Sequence, residues 1–255
     1  MGSTKPKGPS SRGNGKSSIK TRSSQGSGSR SGFRSWPVYL YVPNLIGYAR
    51  VLANIWAFVV CFTNKSLFAV LYLVSFVCDE LDGRFARMLN QTSTFGAVLD
   101  MVTDRVSTAS LLVVLSHIYK GSYLLFLGLL VLDISSHWLQ MYSTFLSSKT
   151  SHKDMSDSRS WILRTYYQQR IFMGYCAVGA EVLYVVLFLL PNSTGNLVEA
   201  VRLAFEEKSV LFFFGLIAAP GCAIKQWVNL VQMKTAADIT VLYDIQQDAK
   251  KDLSE

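Results

Sequence analysis

Charged residues are scarce in this chain. Lys, Arg, Asp and Glu make up 16% of its 255 residues, whereas an average soluble protein carries about 25%. Half of the residues are apolar, and almost none of them lie within the first 35 positions, so the remainder is more hydrophobic than the mean. This composition excludes an ordinary soluble globule and a wholly disordered chain. It predicts a polytopic membrane protein.

Cysteine is also rare. The four cysteines, Cys61, Cys78, Cys176 and Cys222, stand singly within apolar runs, and no CxxC pair is present. Disulfide frameworks and structural zinc sites both need cysteines at partner spacings. The sequence therefore excludes both kinds of architecture.

The first 35 residues lack acidic side chains altogether and contain eight Lys or Arg residues among Ser and Gly. Such a segment buries too little apolar surface to offset the entropy lost on ordering, so we expect residues 1–35 to form a disordered cytosolic tail. No apolar stretch follows the basic residues as it would in a signal peptide. We expect the tail to be a solvated tether that fixes topology, with contact to anionic lipid headgroups as the alternative, and we predict no nucleic-acid partner.

Six apolar segments follow the tail, each close to or above the roughly 20 residues that a helix needs to cross a bilayer. They cover residues 44–62, 67–89, 94–118, 122–146, 166–190 and 209–233. Backbone groups in lipid must be satisfied within their own segment, which favours an all-α bundle of six transmembrane helices over residues 36–236. Residues 237–255 are expected to form a cytosolic C-terminal tail. Basic residues concentrate on one side of the predicted membrane, which places both termini in the cytosol.

Four aspartates interrupt the second and third segments, although an Asp at the centre of a span costs roughly 2.5–3.5 kcal/mol. Asp79 and Asp82 share one helical stripe, and Asp100 and Asp104 share another. A short polar turn joins the two helices, so the stripes can face each other. Two Mg²⁺ or Mn²⁺ ions about 3.5–4 Å apart would balance these charges and clamp a phosphoryl group. The alternative is a set of structural ion pairs with Arg84, Arg87 and Arg105.

These residues also form a recognisable pattern. The run from Asp79 to Arg87, Asp-Glu-Leu-Asp-Gly-Arg-Phe-Ala-Arg, is followed by Gly96, Asp100 and Asp104. It resembles the DxxDGxxAR…G…D…D signature of the CDP-alcohol phosphotransferases, and every defining position is filled. Members of that family transfer a phosphatidyl group from a CDP-linked lipid to an alcohol and release CMP.

The resemblance implies a role for each residue of the signature. Asp79, Asp82 and Asp100 would hold two divalent cations, Mg²⁺ or Mn²⁺, and Asp104 would complete the metal site and act as general base on the incoming hydroxyl. The residues expected to contact the CDP-lipid are Asn44, Gly83, Ala86, Arg87, Ser93 and Gly96. In the alternative interpretation the glycines serve close helix packing and Arg87 anchors the membrane topology.

Three further runs, Val42–Arg50, Leu132–Trp138 and Ser151–Lys153, resemble the eukaryotic family members that use inositol. This resemblance implies CDP-diacylglycerol and myo-inositol as substrates, phosphatidylinositol and CMP as products, and an endoplasmic reticulum membrane with the active site facing the cytosol. A homodimer is a further expectation.

An uncharged polyol needs many hydrogen bonds, and polar residues of the later segments are the candidates to supply them. The expected inositol contacts are Asp133, His137, Lys153, Arg164 and Arg170. The alternative for Asp133 and His137 is a polar seam that joins helices. Glu181 and Lys225 are interpreted as an ion pair between spans five and six.

Three other functions remain compatible with the sequence. A related enzyme with another acceptor, such as glycerol 3-phosphate, would keep the four aspartates and change only the acceptor pocket. A divalent-cation transporter would also place carboxylates in spans, but it often has an inverted repeat that is not evident here. An inactive scaffold is disfavoured because all four aspartates are intact.

Overall fold

The computed structural model describes residues 37–149, 168–190 and 195–252, and within these ranges the chain is helical without any strand. This confirms the predicted all-α class. The predicted tail over residues 1–35 lies outside the described residues, so its disorder stays a prediction. The helices are α1 (Val42–Val60), α2 (Lys65–Met88), α3 (Thr94–Ile118), α4 (Tyr123–Lys149), α5 (Arg170–Leu189), α6 (Leu197–Glu206) and α7 (Val210–Asp252).

Local sequence signals explain where the first three helices begin. Pro43 stands in the first turn of α1, where its missing N–H is not needed. The Asn64 side chain caps α2 by accepting a hydrogen bond from the Leu67 N–H at 3.0 Å. The Ser93 hydroxyl caps α3 in the same way, accepting from the Gly96 N–H at 3.0 Å. The α2–α3 connection is therefore a tight turn, and it includes Asn90 at a φ of 53°.

Each of the six predicted segments corresponds to one long helix, with ends that differ by a few residues. Two features were not predicted. The short helix α6 begins at the Asn196 cap and packs through Ala200 and Ala204. The last helix continues from Val210 to Asp252, so the stretch assigned to a C-terminal tail is helical as far as Asp252.

Among the described residues, four helical stretches are long and apolar enough to cross a membrane, namely Val42–Val60, Lys120–Leu146, Arg170–Leu189 and Val210–Asp252. The remaining two long helices, α2 and α3, carry the four aspartates together with other charged residues. Large apolar side chains such as Leu52, Trp56 and Val59 are more than half exposed along α1. Apolar exposure on this scale is typical of a protein surrounded by lipid.

The helices pack so that α1 contacts α2 and α3, α3 also contacts α4, and α7 contacts α4 and α5. An apolar core joins the ends of these helices that lie away from the α2–α3 turn. It contains Phe68, Leu111, Tyr119, Phe126 and Phe188, each at most 1% exposed. This core fixes one end of the bundle and leaves the polar side chains of α2 and α3 gathered nearer the other end.

Candidate active site

The structure brings the four aspartates of α2 and α3 together. Asp79, Asp82 and Asp100 each present a carboxylate oxygen, and these oxygens lie within 4.8 Å of one another. Asp104 lies one turn beyond Asp100 on the same face of α3. The antiparallel packing expected from the short α2–α3 turn therefore produces one acidic cluster, which we call the aspartate quartet.

An arginine of α1, Arg50, lies at the centre of the quartet and is 2% exposed. Its guanidinium nitrogens reach oxygens of Asp79, Asp100 and Asp104 at 2.7 Å and of Asp82 at 3.1 Å. Arg50 entered the sequence analysis as the last residue of the run Val42–Arg50, with no role of its own. The signal that could have identified it is the rule that an ionisable side chain inside a membrane segment has a partner there.

The donor set of the quartet suits divalent cations. Carboxylate oxygens are the ligands that Mg²⁺ and Mn²⁺ prefer. Four ionised carboxylates against the single Arg50 guanidinium leave an excess of three negative charges. The neighbouring Arg105 does not remove this excess, because it is paired with Asp133 at 2.6 Å and approaches Asp104 only to 3.8 Å. Bound protons or a further cation must balance this excess, and the oxygens are placed to bind a cation.

A cavity of about 190 Å³ adjoins the quartet beside the α2–α3 turn. Asp82 and Asp100 form one side of it. All six residues that the sequence predicted to contact the CDP-lipid line this cavity, namely Asn44, Gly83, Ala86, Arg87, Ser93 and Gly96. The signature thus folds into a single concave surface with carboxylates at one side and Arg87 at another.

The two signature glycines differ in what surrounds them. A methyl group at Gly96 would lie 2.7 Å from the Asn44 Oδ1 and 3.1 Å from the Ser93 Oγ, so this glycine permits the close approach of α1 and α3. At Gly83 the nearest atom to such a methyl group is the Arg87 Nη1 at 3.6 Å, an ordinary contact distance. Helix packing therefore explains why position 96 is a glycine. At position 83 the packing would admit a methyl group, so the space beside Gly83 is available to a ligand.

Gln91 is a cavity residue that sequence reasoning missed. It lies in the α2–α3 turn, is 3% exposed, and its Oε1 accepts a hydrogen bond from the Val42 N–H at 2.9 Å. This contact satisfies a backbone donor at the start of α1 that the helix itself cannot pair. The Gln91 Nε2 is buried without a partner among the described residues. No spacing rule marks such a residue, because its contact joins positions 49 residues apart.

Of the predicted inositol contacts, Asp133 and His137 lie on α4 against α3. Both carboxylate oxygens of Asp133 accept hydrogen bonds from the Arg105 Nη1, at 2.6 and 2.7 Å. The His137 Nδ1 lies 2.8 Å from the Asp133 backbone oxygen. Arg170, the first residue of α5, is exposed and makes no ion pair with the described residues. Lys153 and Arg164 lie outside the described residues.

The interpretation of Glu181 and Lys225 as an ion pair does not match the structure. The Glu181 carboxylate accepts hydrogen bonds from the Tyr72 hydroxyl at 2.8 Å and from the Thr108 hydroxyl at 2.7 Å. Lys225 is 9% exposed and has no carboxylate partner in the part of the chain that the structure describes. The predicted pair was wrong because a search for opposite charges does not consider hydroxyl groups. Hydroxyl donors on α2 and α3 satisfy the Glu181 carboxylate instead of Lys225.

Comparison with known proteins agrees with the geometry. The profile of the CDP-alcohol phosphatidyltransferase family matches residues 40–205. A probable CDP-diacylglycerol–inositol 3-phosphatidyltransferase 2 of Arabidopsis thaliana is 60% identical over 215 residues, which cover 84% of this chain and 95% of the relative. The CDP-diacylglycerol–inositol 3-phosphatidyltransferases of Homo sapiens and Saccharomyces cerevisiae are each 39% identical, over 84% and 78% of this chain and 97% and 86% of their own lengths. No solved structure matches the chain. The chain belongs to the CDP-alcohol phosphatidyltransferase family.

Proposed function

We propose that this protein transfers the phosphatidyl group of CDP-diacylglycerol to a hydroxyl of myo-inositol, giving phosphatidylinositol and CMP. The observation that carries the proposal is the convergence of the aspartate quartet on a cavity lined by the rest of the family signature. Inositol is proposed as the acceptor because relatives named as inositol 3-phosphatidyltransferases match over most of this chain.

The reaction is a displacement at phosphorus. A hydroxyl oxygen of inositol forms the new bond to the phosphatidyl phosphorus, the bond from that phosphorus to the CMP oxygen breaks, and the hydroxyl proton passes to an Asp104 carboxylate oxygen. Asp104 is suited to this role because it lies at the edge of the quartet nearest α4, beside Arg105. A single displacement needs no covalent enzyme intermediate. Positioning and charge stabilisation then dominate the rate, as in other phosphoryl transfers.

The quartet is the proposed metal site. Asp79, Asp82, Asp100 and Asp104 would hold two ions, Mg²⁺ or Mn²⁺, which would supply positive charge to the diphosphate and to the leaving CMP. Arg87 lines the same cavity as Asp82 and is proposed to bind the diphosphate as a bidentate donor. Gly83 and Ala86 are proposed to keep large side chains out of the space for the nucleotide. Gly96, Ser93 and Asn44 line the same cavity, and the last two carry hydrogen-bonding groups.

Inositol is proposed to bind on the α4 side of Asp104. Asp133 fixes Arg105 next to this base, and His137 lies one turn further along α4 with a half-buried ring. A polyol at this position would have its reacting hydroxyl near Asp104. Arg170, Lys153 and Arg164 are proposed to contact inositol as it arrives from the cytosol.

The membrane arrangement is part of the proposal. Helices α2 and α3 have 24 and 25 residues, and at about 1.5 Å per residue each is long enough to span the hydrocarbon layer. Counting α2 and α3, the bundle has six spans. These two helices have low hydropathy because they carry the aspartate quartet. We propose an endoplasmic reticulum location with both termini and the cavity on the cytosolic side.

The experiment that tests the function is incorporation of labelled myo-inositol into lipid by the full-length protein in detergent. We expect labelled phosphatidylinositol to form only when CDP-diacylglycerol and Mg²⁺ or Mn²⁺ are both present. Arg202→Gln is the matched control, because Arg202 is exposed on α6 and pairs there with Glu206. An active control variant together with an inactive Asp100→Asn variant supports the proposal, and label incorporation without CDP-diacylglycerol contradicts it.

A further inference from the structure

The position of Arg50 is unusual for a site that binds cations. Its Nη1 contacts Asp82 and Asp100, and its Nη2 contacts Asp79 and Asp104, so each terminal nitrogen bridges α2 and α3. The third nitrogen, Nε, is buried without a hydrogen-bond partner among the described residues. The side chain is thus held through its two terminal nitrogens alone, by the four residues that are the proposed metal ligands.

Helix α1 fixes Arg50 in this place. One turn before it, Gly47 lies so close to α3 that a methyl group there would be 2.9 Å from the Leu99 Cδ2. This approach brings the Arg50 side chain between α2 and α3, where it is 2% exposed. A planar guanidinium can bridge four carboxylates in this way, whereas an ammonium group is a single point charge.

We propose that Arg50 is the resident counter-ion of the aspartate quartet, which holds the four carboxylates together and lowers their affinity for divalent cations. The inference rests on the proposed function only in taking the quartet as the metal site. Guanidinium and metal draw on the same carboxylate oxygens, so each weakens the hold of the other. Arg50 therefore acts as a positioning residue, and it makes metal binding weaker than four bare carboxylates would.

The test is metal binding by the full-length protein in detergent with no substrate present. Unfolding temperature is followed with a thiol-reactive dye, since Cys61, Cys176 and Cys222 are buried and become exposed on unfolding. It is measured in EDTA and then across a Mn²⁺ titration, for the native protein and for Arg50→Met, Arg50→Lys and Lys225→Met. Lys225→Met is the matched control, because it removes another cation buried within the bundle and no described carboxylate pairs with it.

We expect Arg50→Met to unfold on the order of 10 °C lower in EDTA, because four repelling carboxylates lose their shared partner. We also expect its half-saturating Mn²⁺ concentration to fall roughly tenfold, since a nearby positive charge has been removed. Arg50→Lys should shift both quantities in the same directions by less. Lys225→Met should leave the Mn²⁺ midpoint at the native value.

An Arg50→Met protein with the native Mn²⁺ midpoint, or with weaker Mn²⁺ binding, would overturn the proposal. A native unfolding temperature in EDTA would also overturn it. If Arg50→Met fails to fold in EDTA but folds when Mn²⁺ is added, that result supports the proposal. The half-saturating Mn²⁺ concentration is then taken from Arg50→Lys. Because no substrate is used, a failure of inositol transfer leaves this result unaffected.

Discussion

The two groups of buried polar side chains in this bundle differ in how completely the chain satisfies them. In the aspartate quartet, four carboxylates share the single guanidinium of Arg50, which leaves negative charge unbalanced. Around Asp133 and Glu181, each carboxylate receives two hydrogen bonds from its own donors. The quartet therefore has oxygens left for a bound cation, whereas the Asp133 and Glu181 carboxylates already have donors from neighbouring helices. The difference shows that the supply of donors to each carboxylate, more than acidity, distinguishes the proposed metal site.

The largest expected effect comes from the quartet. Asp104→Asn should reduce kcat by about 10²- to 10⁴-fold, because the amide cannot accept the proton of the inositol hydroxyl. The KM for CDP-diacylglycerol should change little. Asp79→Asn should instead raise both that KM and the Mn²⁺ concentration needed for half-maximal rate. Steady-state CMP release across substrate and metal concentrations measures kcat, the KM for CDP-diacylglycerol and the half-maximal Mn²⁺ concentration of each variant.

Equal and modest losses in the two variants would contradict the separate roles given to Asp104 and Asp79. Asp248→Asn provides the matched control, because Asp248 is exposed near the end of α7 and pairs with the exposed Lys251. It should retain native kinetics.

Substitutions at Glu181 and its donors should lower the stability of the protein and leave metal binding unchanged. Glu181→Ala leaves the hydroxyls of Tyr72 and Thr108 without their acceptor, at a cost of about 1–3 kcal/mol for each buried donor. We expect a lower unfolding temperature and an unchanged Mn²⁺ midpoint. Tyr72→Phe, which removes only one of the two donors, should cost less.

A shift in the Mn²⁺ midpoint of Glu181→Ala would break the comparison, since it would couple the two groups. Unfolding temperature measured by dye fluorescence, with and without Mn²⁺, decides between the two results.

The smallest expected effect separates the two signature glycines. Gly83→Ala should leave the unfolding temperature unchanged and raise the KM for CDP-diacylglycerol about tenfold, because the added methyl group enters ligand space and its nearest protein atom, the Arg87 Nη1 at 3.6 Å, is at an ordinary contact distance. Gly96→Ala should lower the unfolding temperature, since the methyl group would lie 2.7 Å from the Asn44 Oδ1. A native KM in Gly83→Ala would show that the nucleotide does not lie against this helix face.

The parts of the site that could be predicted are those in which chemistry fixes the spacing. The aspartates lie on two adjacent helices joined by a short turn, so helical periodicity alone places them together. Arg50 and Gln91 escaped prediction because their partners are distant in sequence, 29 to 54 residues away for Arg50 (Asp79 to Asp104) and 49 for Gln91. Tertiary packing determines such contacts, and no local pattern records them.

The fold shows the same division. Long apolar runs predicted six helices, since a bilayer leaves the backbone few alternatives. Helix α6 was missed because it is ten residues long and amphipathic. The extension of α7 to Asp252 was missed because hydropathy falls after the predicted span while the helix continues. Hydropathy detects segments that are buried in lipid. Helices that continue outside the lipid depend on helix propensity and packing, which hydropathy does not measure.

The most direct test of the central claim is CMP release by the purified protein with CDP-diacylglycerol and Mn²⁺, with myo-inositol and glycerol 3-phosphate as acceptors in parallel reactions. The account predicts release that depends on Mn²⁺ and on inositol, and none above background with glycerol 3-phosphate. Release with glycerol 3-phosphate and not with inositol would keep the quartet as the catalytic site and contradict the proposed acceptor. No release with either acceptor would contradict the transfer reaction itself.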